Sequence, residues 1–487
     1  MRWITWLKWV GGVFAGLFLA AGGLFYTLLP PSLPVPPQSD IVISGVTVIN
    51  PGMDRLSDRT VVVHDGRIVA VRPRVATDPT PICRGCYVIP GLIDAHVHTP
   101  PSIAIGNQRL FALLYLEYGV TSVRDLGQSD TSIHALADDL NAGRIVGPHM
   151  YRCGPVLDGD PPGWPAAWKV TTAAQGKAAV DELVKEGVDC IKVYNEVNVA
   201  TYRAIAAEAA RFKLPLIGHV PHRVGLTGMR NFEAQHLTGV SYLSRPPPPV
   251  GVDMLFEDIL ATTDEDIDHA IDVMAARHIA ITPTLASPGL RLIASDPHRF
   301  PPTAASQVLP AFWGPMWGIL ANHPHGGAQI AVQIAAIPRM RTIVGRARTR
   351  GIDVLAGTDT LMPWVVPGEA LLFEIDQLAL AFGDKQAALA AATTVNARHV
   401  DPARIGMIAA GMRADILLLP SDPTRDLRAL RRWKIEIADG RRYDRALVDG
   451  WLELYRDHFH GFIYSAVMDA VTALTIDHFN NSANKRA

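Results

Sequence analysis

Gly91-Leu92-Ile93-Asp94-Ala95-His96-Val97-His98 is an apolar run that ends in two histidines one residue apart. Side chains alternate between the two faces of a strand, so His96 and His98 point the same way and can share one metal ion. An isolated H-x-H is at least as often incidental. The setting raises its weight: Pro90 and Gly91 precede the run, Asp94 stands two residues before the first histidine, and further metal-ligand residue types recur downstream.

Between roughly residues 88 and 400, eight apolar runs end in polar residues: VIPGLIDAHVH, VTSVRDLG, PHMYRCGP, VDCIKVYNE, LPLIGHV, NFEAQHL, IAITPTL and IDVLAGTD. Ala-rich segments of helical period, such as KAAVDELVKEG and YRAIAAEAARF, separate most of them. The alternation predicts an α/β chain, a (β/α)8 TIM barrel with its site at the C-terminal strand ends. Lys192 closes the fourth run, His219 the fifth, His236 the sixth and Asp359 the eighth. Taken singly, each has an ordinary explanation: a snorkelling or paired lysine, a satisfied imidazole, a helix-capping aspartate.

Taken in order, these positions resemble the amidohydrolase superfamily of metal-dependent hydrolases, and the resemblance runs from about Val46 to Pro423. It implies two divalent ions, zinc being the expected metal. His96, His98 and Asp359 would hold one ion, His219 and His236 the other, and Lys192, carboxylated by carbon dioxide, would bridge them. It also implies that Asp359 takes the proton of the attacking water and passes it to the leaving nitrogen. Tyr194, two residues after Lys192, is a candidate contact for a substrate carboxylate, with packing against a loop as the alternative. One departure is Gln235, where the family commonly has glutamate before the strand-six histidine; this puts outer-sphere tuning in doubt rather than metal binding. His222 and His134 are assigned no role.

The implied activity is hydrolysis of an amide C–N bond in a dipeptide, an Xaa-Pro peptide or an N-acyl amino acid. Alternatives are a phosphotriesterase- or lactonase-like hydrolase, a mononuclear deaminase that would not need Lys192, and a non-catalytic membrane-tethered binding protein. With 45 Lys and Arg against 47 Asp and Glu, the net charge of -2 offers nothing to attract nucleic acid, so a small-molecule substrate is expected, with an oligomer left open.

Residues 1–29 contain an uncharged apolar run, Trp9 to Leu29, preceded by Arg2 and Lys8. This predicts a single-pass transmembrane helix with a cytoplasmic N-terminus and an extracytoplasmic (in a Gram-negative bacterium, periplasmic) catalytic domain; secretion after signal cleavage is the alternative. Residues 30–39 read as a Pro-rich spacer. Short alternating strands in 40–88 and 405–455 predict, with the resemblance, one small composite β-sandwich beside the barrel domain at 89–404. Residues 456–487 are expected to form a helical extension docked on the body. Cys83 and Cys86 are expected to form a disulfide in a turn, whereas Cys153 and Cys190 read as buried small hydrophobes. The Pro-, Trp- and His-rich segment from Ala286 to Arg339 is a candidate lid.

Overall fold

The computed structural model describes residues 22–484 except 24, 128–129, 165, 241–254, 289–305 and 323–325. The expected anchor therefore lies, apart from its last residues, outside the described residues, as does much of the candidate lid. Among the described residues no single helix is long and apolar enough to cross a membrane.

Strands from both ends of the chain share one sheet. In chain order these are β1 (Ile41–Val48), β2 (Leu56–His64), β3 (Arg67–Pro73) and β4 (Tyr87–Pro90). Numbering the site-bearing strands below as β5–β13, the late partners are β14 (Ile416–Leu419), β15 (Ile435–Ala438) and β16 (Arg441–Asp444), and the spatial order is β16-β15-β14-β4-β1-β2-β3. Asp65 and Gly66 both take positive φ, 47° and 72°, which is the geometry a tight hairpin between β2 and β3 requires. Val61, Val63, Val88, Ile416 and Leu418 pack together in this sheet's core. All seven strands are hydrogen-bonded into one sheet. The assignment of β-structure through residue 455 needs correcting, because the chain turns helical over Arg445–Phe459. The reason is spacing: Val448, Trp451, Tyr455 and Phe459 recur at three or four residues and are the buried positions.

The run VIPGLIDAHVH is split at Gly91. Its first half is β4, and its second is β5 (Leu92–Val97), which belongs to a different, parallel sheet. Glycine is needed at the break because a Cβ there would overlap the side chain of Thr121. β5 pairs with β6 (Val120–Asp125), and β6 with β7 (His149–Arg152), all in parallel. A second sheet contains β8 (Leu157–Asp158), β9 (Trp168–Lys169), β10 (Ile191–Val193), β11 (Leu216–Gly218), β12 (Phe232–Gln235) and β13 (Ile279–Thr282), in the order β13-β12-β11-β10-β8-β9. Hydrogen bonds link the two sheets at two places. Asp189 N donates to Arg152 O (2.7 Å), and the eighth run bonds on both sides, Leu355 N to Ile281 O (2.8 Å) and Ala95 N to Ala356 O (3.0 Å). Helices such as Ala173–Lys185, opened by a Thr172/Gln175 capping box, and Val199–Arg211, capped by Asn198, lie between successive strands where the Ala-rich periodicity predicts them.

The Cys83–Cys86 disulfide is present. A correction applies to Cys153 and Cys190, which are also disulfide-bonded to each other. They are 37 residues apart in sequence, and the Asp189–Arg152 bond brings the end of β7 beside the start of β10, leaving the two Cα atoms 4.4 Å apart. The C-terminal helix Phe462–Asn484 docks on the body: Tyr464 donates to Ile105 O (2.8 Å) and accepts from Asn107 Nδ2 (2.7 Å).

Glu436, in β15, is fully buried, and neither carboxylate oxygen has a hydrogen-bond partner among the described residues. Burial, reinforced by the charges of Asp415 and Glu117, pushes its pKa well above 4.5, and Arg445 opposes this only in part. The folded chain thus keeps a proton that the unfolded chain releases near pH 4.5, so stability falls as pH rises from there, by up to about 1.4 kcal/mol per pH unit for this group. Glu436→Gln should therefore raise the melting temperature relative to wild type by an amount that grows from pH 5 to pH 8; a pH-independent difference would show the carboxyl to be ionised in the fold.

Candidate metal centre

The site is assembled from the C-terminal ends of the parallel strands. β5 delivers His96 and His98, both buried, with Nε2 atoms 3.3 Å apart. Asp359 Oδ1 lies 3.3 Å from His96 Nε2 and 3.4 Å from His98 Nε2. Among the described residues these three form a group whose ligand atoms lie within 4.8 Å of one another. Lys192, 2% exposed, brings its Nζ to 3.5 Å from His96 Nε2. The His236 ring is 4.8 Å from that of His96 and 5.0 Å from that of His219. All six residues singled out from the sequence as ligands therefore fall in one cluster.

Backbone geometry at the strand ends makes this convergence possible. Asp359 has φ of +61° and His236 of +57°, left-handed conformations that cost a non-glycine residue free energy and cluster at functional positions. Asp359 N donates to His96 O (2.8 Å), which ties the eighth run to β5. A Cβ on Gly357 would stand 2.6 Å from Thr282 Cγ2 and 2.7 Å from His96 Cβ, so only glycine allows that approach.

Each imidazole is tethered through Nδ1. His98 Nδ1 donates to Gly127 O (2.9 Å), and His219 Nδ1 pairs with Asn195 Oδ1 (2.8 Å). His236 Nδ1 pairs with Thr284 Oγ1 (2.6 Å). His96 Nδ1 pairs with Gln235 Oε1 (2.6 Å), while Gln235 Nε2 donates to Glu233 Oε1 (2.8 Å), an oxygen that Arg124 also braces. That second contact orients the amide, making Gln235 Oε1 the acceptor and His96 Nδ1–H the donor. With Nδ1 protonated, Nε2 of His96 and of His98 is a lone pair, and the two lone pairs face each other and the Asp359 carboxylate. His219 Nε2 is buried with no partner among the described residues. Acceptors crowded in this way are costly unless a cation lies among them. The donor set, imidazole nitrogens plus a carboxylate, suits a divalent ion such as zinc.

Burial first, then Lys192 and neighbouring imidazoles, holds His96 well below its usual pKa; burial and then His236 do the same for His219, and His236 is lowered to about 4. These three rings, His96, His219 and His236, are therefore neutral near pH 7. Burial lowers Lys192 to about 8, which leaves a share of neutral amine near physiological pH. For Asp359 burial acts upward, but His236, His98 and Lys192 together hold the carboxyl below its ordinary range. Asp94 accepts from Thr358 Oγ1 (2.7 Å), and burial raises its pKa to about 7.

Gln235 does not merely sit off the ligands; it supplies the tether for His96. Tyr194 stacks on His219, with ring centroids 3.8 Å apart, and Trp164 lies over His98 at 5.9 Å, so aromatic rings wall the cluster. Sequence reading missed Trp164, Asn195, Thr284, Glu233 and Arg124. Asn195, three residues after Lys192, was the one within reach of a motif. His222, assigned no role, is buried with Nδ1 3.5 Å from Glu196 Oε1, whereas His134 pairs with Glu186.

A model of the amidohydrolase family matches residues 87–440. Among solved structures, bottromycin amidohydrolase is similar at 25% identity and a TM-score of 0.68, covering 90% of this chain and 93% of that one. A candidate prolidase from Bifidobacterium longum is similar at 25% identity and a TM-score of 0.62, covering 86% of this chain and all of that one. Adenine deaminase from Deinococcus radiodurans is 29% identical over 125 residues; the match spans only 24% of this chain and 23% of that enzyme.

Gln235→Leu keeps the volume but removes the acceptor from His96 Nδ1. Zinc affinity measured by chelator competition should fall by roughly 10–100-fold, the usual effect of losing a partner behind a ligating imidazole; unchanged affinity would mean that the tether does not orient the ring.

Proposed function

The chain belongs to the amidohydrolase family, and we propose that it is a binuclear metal-dependent hydrolase of amide C–N bonds, acting on dipeptides, Xaa-Pro peptides or N-acyl amino acids. Family membership puts it among hydrolases and deaminases of carbon–nitrogen bonds, a group that generally uses divalent metals. The observation that carries the finer reading is the inward convergence of the tethered imidazoles of His96, His98, His219 and His236 on Asp359 and Lys192. The parallel strands are read as a closed (β/α)8 barrel, supported by the hydrogen bonds that join the two sheets beside β7 and through the eighth run.

In this reading His96, His98 and Asp359 would hold one ion, His219 and His236 would hold the other, and Lys192, carboxylated, would be a ligand shared by both. The ions, when bound, supply Lewis acidity and lower the pKa of water toward neutrality. Asp359, next to the reacting centre, accepts the proton of the attacking water and returns it to the leaving nitrogen. Tyr194 and Trp164 confine the substrate from two sides and limit solvent access. The second reading, a deaminase, is favoured by the partial likeness to adenine deaminase. Assaying metal-loaded protein against dipeptides, N-acyl amino acids and adenine, with lactones and phosphotriesters as controls, separates the readings by which substrate turns over.

Export of the catalytic domain is part of the proposal. It is supported by the apolar run Trp9 to Leu29 and by two disulfides, which persist in oxidising compartments. An alkaline phosphatase reporter fused after Ala487 should be active in intact cells; activity of a cytoplasm-only reporter at the same position would overturn export.

His96→Ala and His98→Ala should each lose metal and activity together. Lys192→Ala should bind fewer metal ions and lose most hydrolysis, with partial recovery in formate or acetate, which supply two oxygens to the gap. Bicarbonate should speed metal uptake by the wild type only. Two metals and near-normal turnover in Lys192→Ala would eliminate the binuclear reading.

A further inference from the structure

The helix Phe462–Asn484 lies beyond the family match, which ends at residue 440, and it forms one wall of a cavity of about 240 Å³. The other walls include Ile103 from the chain after His98, Phe312 and Trp313 from the described part of the segment Ala286 to Arg339, and Leu361 after Asp359; Met468 and Val471 face them. Among the described residues, no charged side chain lines it. Its polar groups are largely engaged: Trp313 Nε1 donates to Asn107 Oδ1 (2.9 Å), and Thr475 Oγ1 donates to Val471 O (2.8 Å). Leu361 is two residues from Asp359, and Pro101, also in the wall, three from His98. Three residues of chain span at most about 11 Å, so this part of the cavity wall lies within the length of one substrate from the centre.

We propose that this cavity is the acyl-chain subsite of the enzyme, and that its substrates are N-acyl amino acids bearing an apolar acyl group of several carbons. The inference rests on the hydrolase reading above and narrows it. The volume lies below the roughly 300 Å³ at which pockets begin to hold a whole drug-sized ligand, so it suits one arm of a substrate. A dipeptide would place its N-terminal ammonium against this wall, where no described side chain offers a counter-charge, and desolvating that group is costly. A hydrocarbon chain incurs no such cost and gains from each methylene buried. The wall built by the C-terminal helix thus selects for the acyl side of the scissile bond, while the metal centre acts on the amide itself.

The test is kcat/KM along a series of N-acetyl-, N-butanoyl-, N-hexanoyl- and N-octanoyl-leucine with the full-length, metal-loaded protein. Wild type should gain about fourfold per methylene until the cavity is full. Val471→Trp and, independently, Thr475→Trp, both at half-buried positions, should fill the cavity and cut the octanoyl-to-acetyl ratio at least tenfold. A flat series, or ratios unchanged in both variants, overturns the subsite. If dipeptides are cleaved and no N-acyl amino acid is, the subsite is overturned while the hydrolase reading stands; if neither class is cleaved, the hydrolase reading fails, and the cavity is judged by calorimetric titration with octanoate: binding to wild type that Val471→Trp abolishes upholds it, and no binding overturns it.

Discussion

Buried imidazoles aimed at one another through unprotonated nitrogens repel, and the whole centre is arranged to hold them so. Each ring is pinned by its Nδ1 to a group from a different part of the strand array: His96 to Gln235 on β12, His98 to the carbonyl of Gly127 after β6, His219 to Asn195 after β10, and His236 to Thr284 after β13. Every tether therefore runs between neighbouring strands or across the interior. The inward lone pairs exist only because the strands are in register, and a shift of one strand would break a tether and turn a ring.

That dependence explains how closely the interior is packed. Gly91 lets β5 pass against Thr121, and Gly357 lets the eighth run lie against Thr282 and His96. The Cys153–Cys190 bond joins β7 to β10 two residues before Lys192. Arg124 and Glu233 form a buried ion pair behind Gln235, with Thr282 donating to the same Glu233 oxygen at 2.8 Å. A paired charge of this kind adds little stability by itself, but removing one partner is expensive, so it fixes the orientation of the amide it touches.

The terminal segments bear on the site in two ways. The seven-stranded sheet meets the site-bearing strands through the β4–Gly91–β5 junction, so its pairing sets where β5 begins. The last helix packs against the start of the helix Asn107–Glu117, and its Tyr464 holds Ile105 and Asn107 at the end of the loop that follows His98.

Much of this was legible in the chain. Period-two apolar runs with polar ends mark the strands and, through the ordered series His96, His98, Lys192, His219, His236 and Asp359, mark the cluster, because ligand type and strand position are both local properties. The partners behind the ligands were not legible. Gln235 adjoins His236 in sequence yet serves His96, 139 residues away, and Cys153 finds Cys190 across 37 residues. Such contacts depend on which strands become neighbours and on the direction each side chain takes at a left-handed strand end. The helix at Arg445 was also misjudged, since a short apolar repeat is compatible with either period until burial selects one. The sequence by itself determined the strand array and the inventory of metal-binding groups; only the tertiary structure decided which nitrogen of each imidazole faces inward, because that choice is made by a hydrogen bond to a residue distant in the chain.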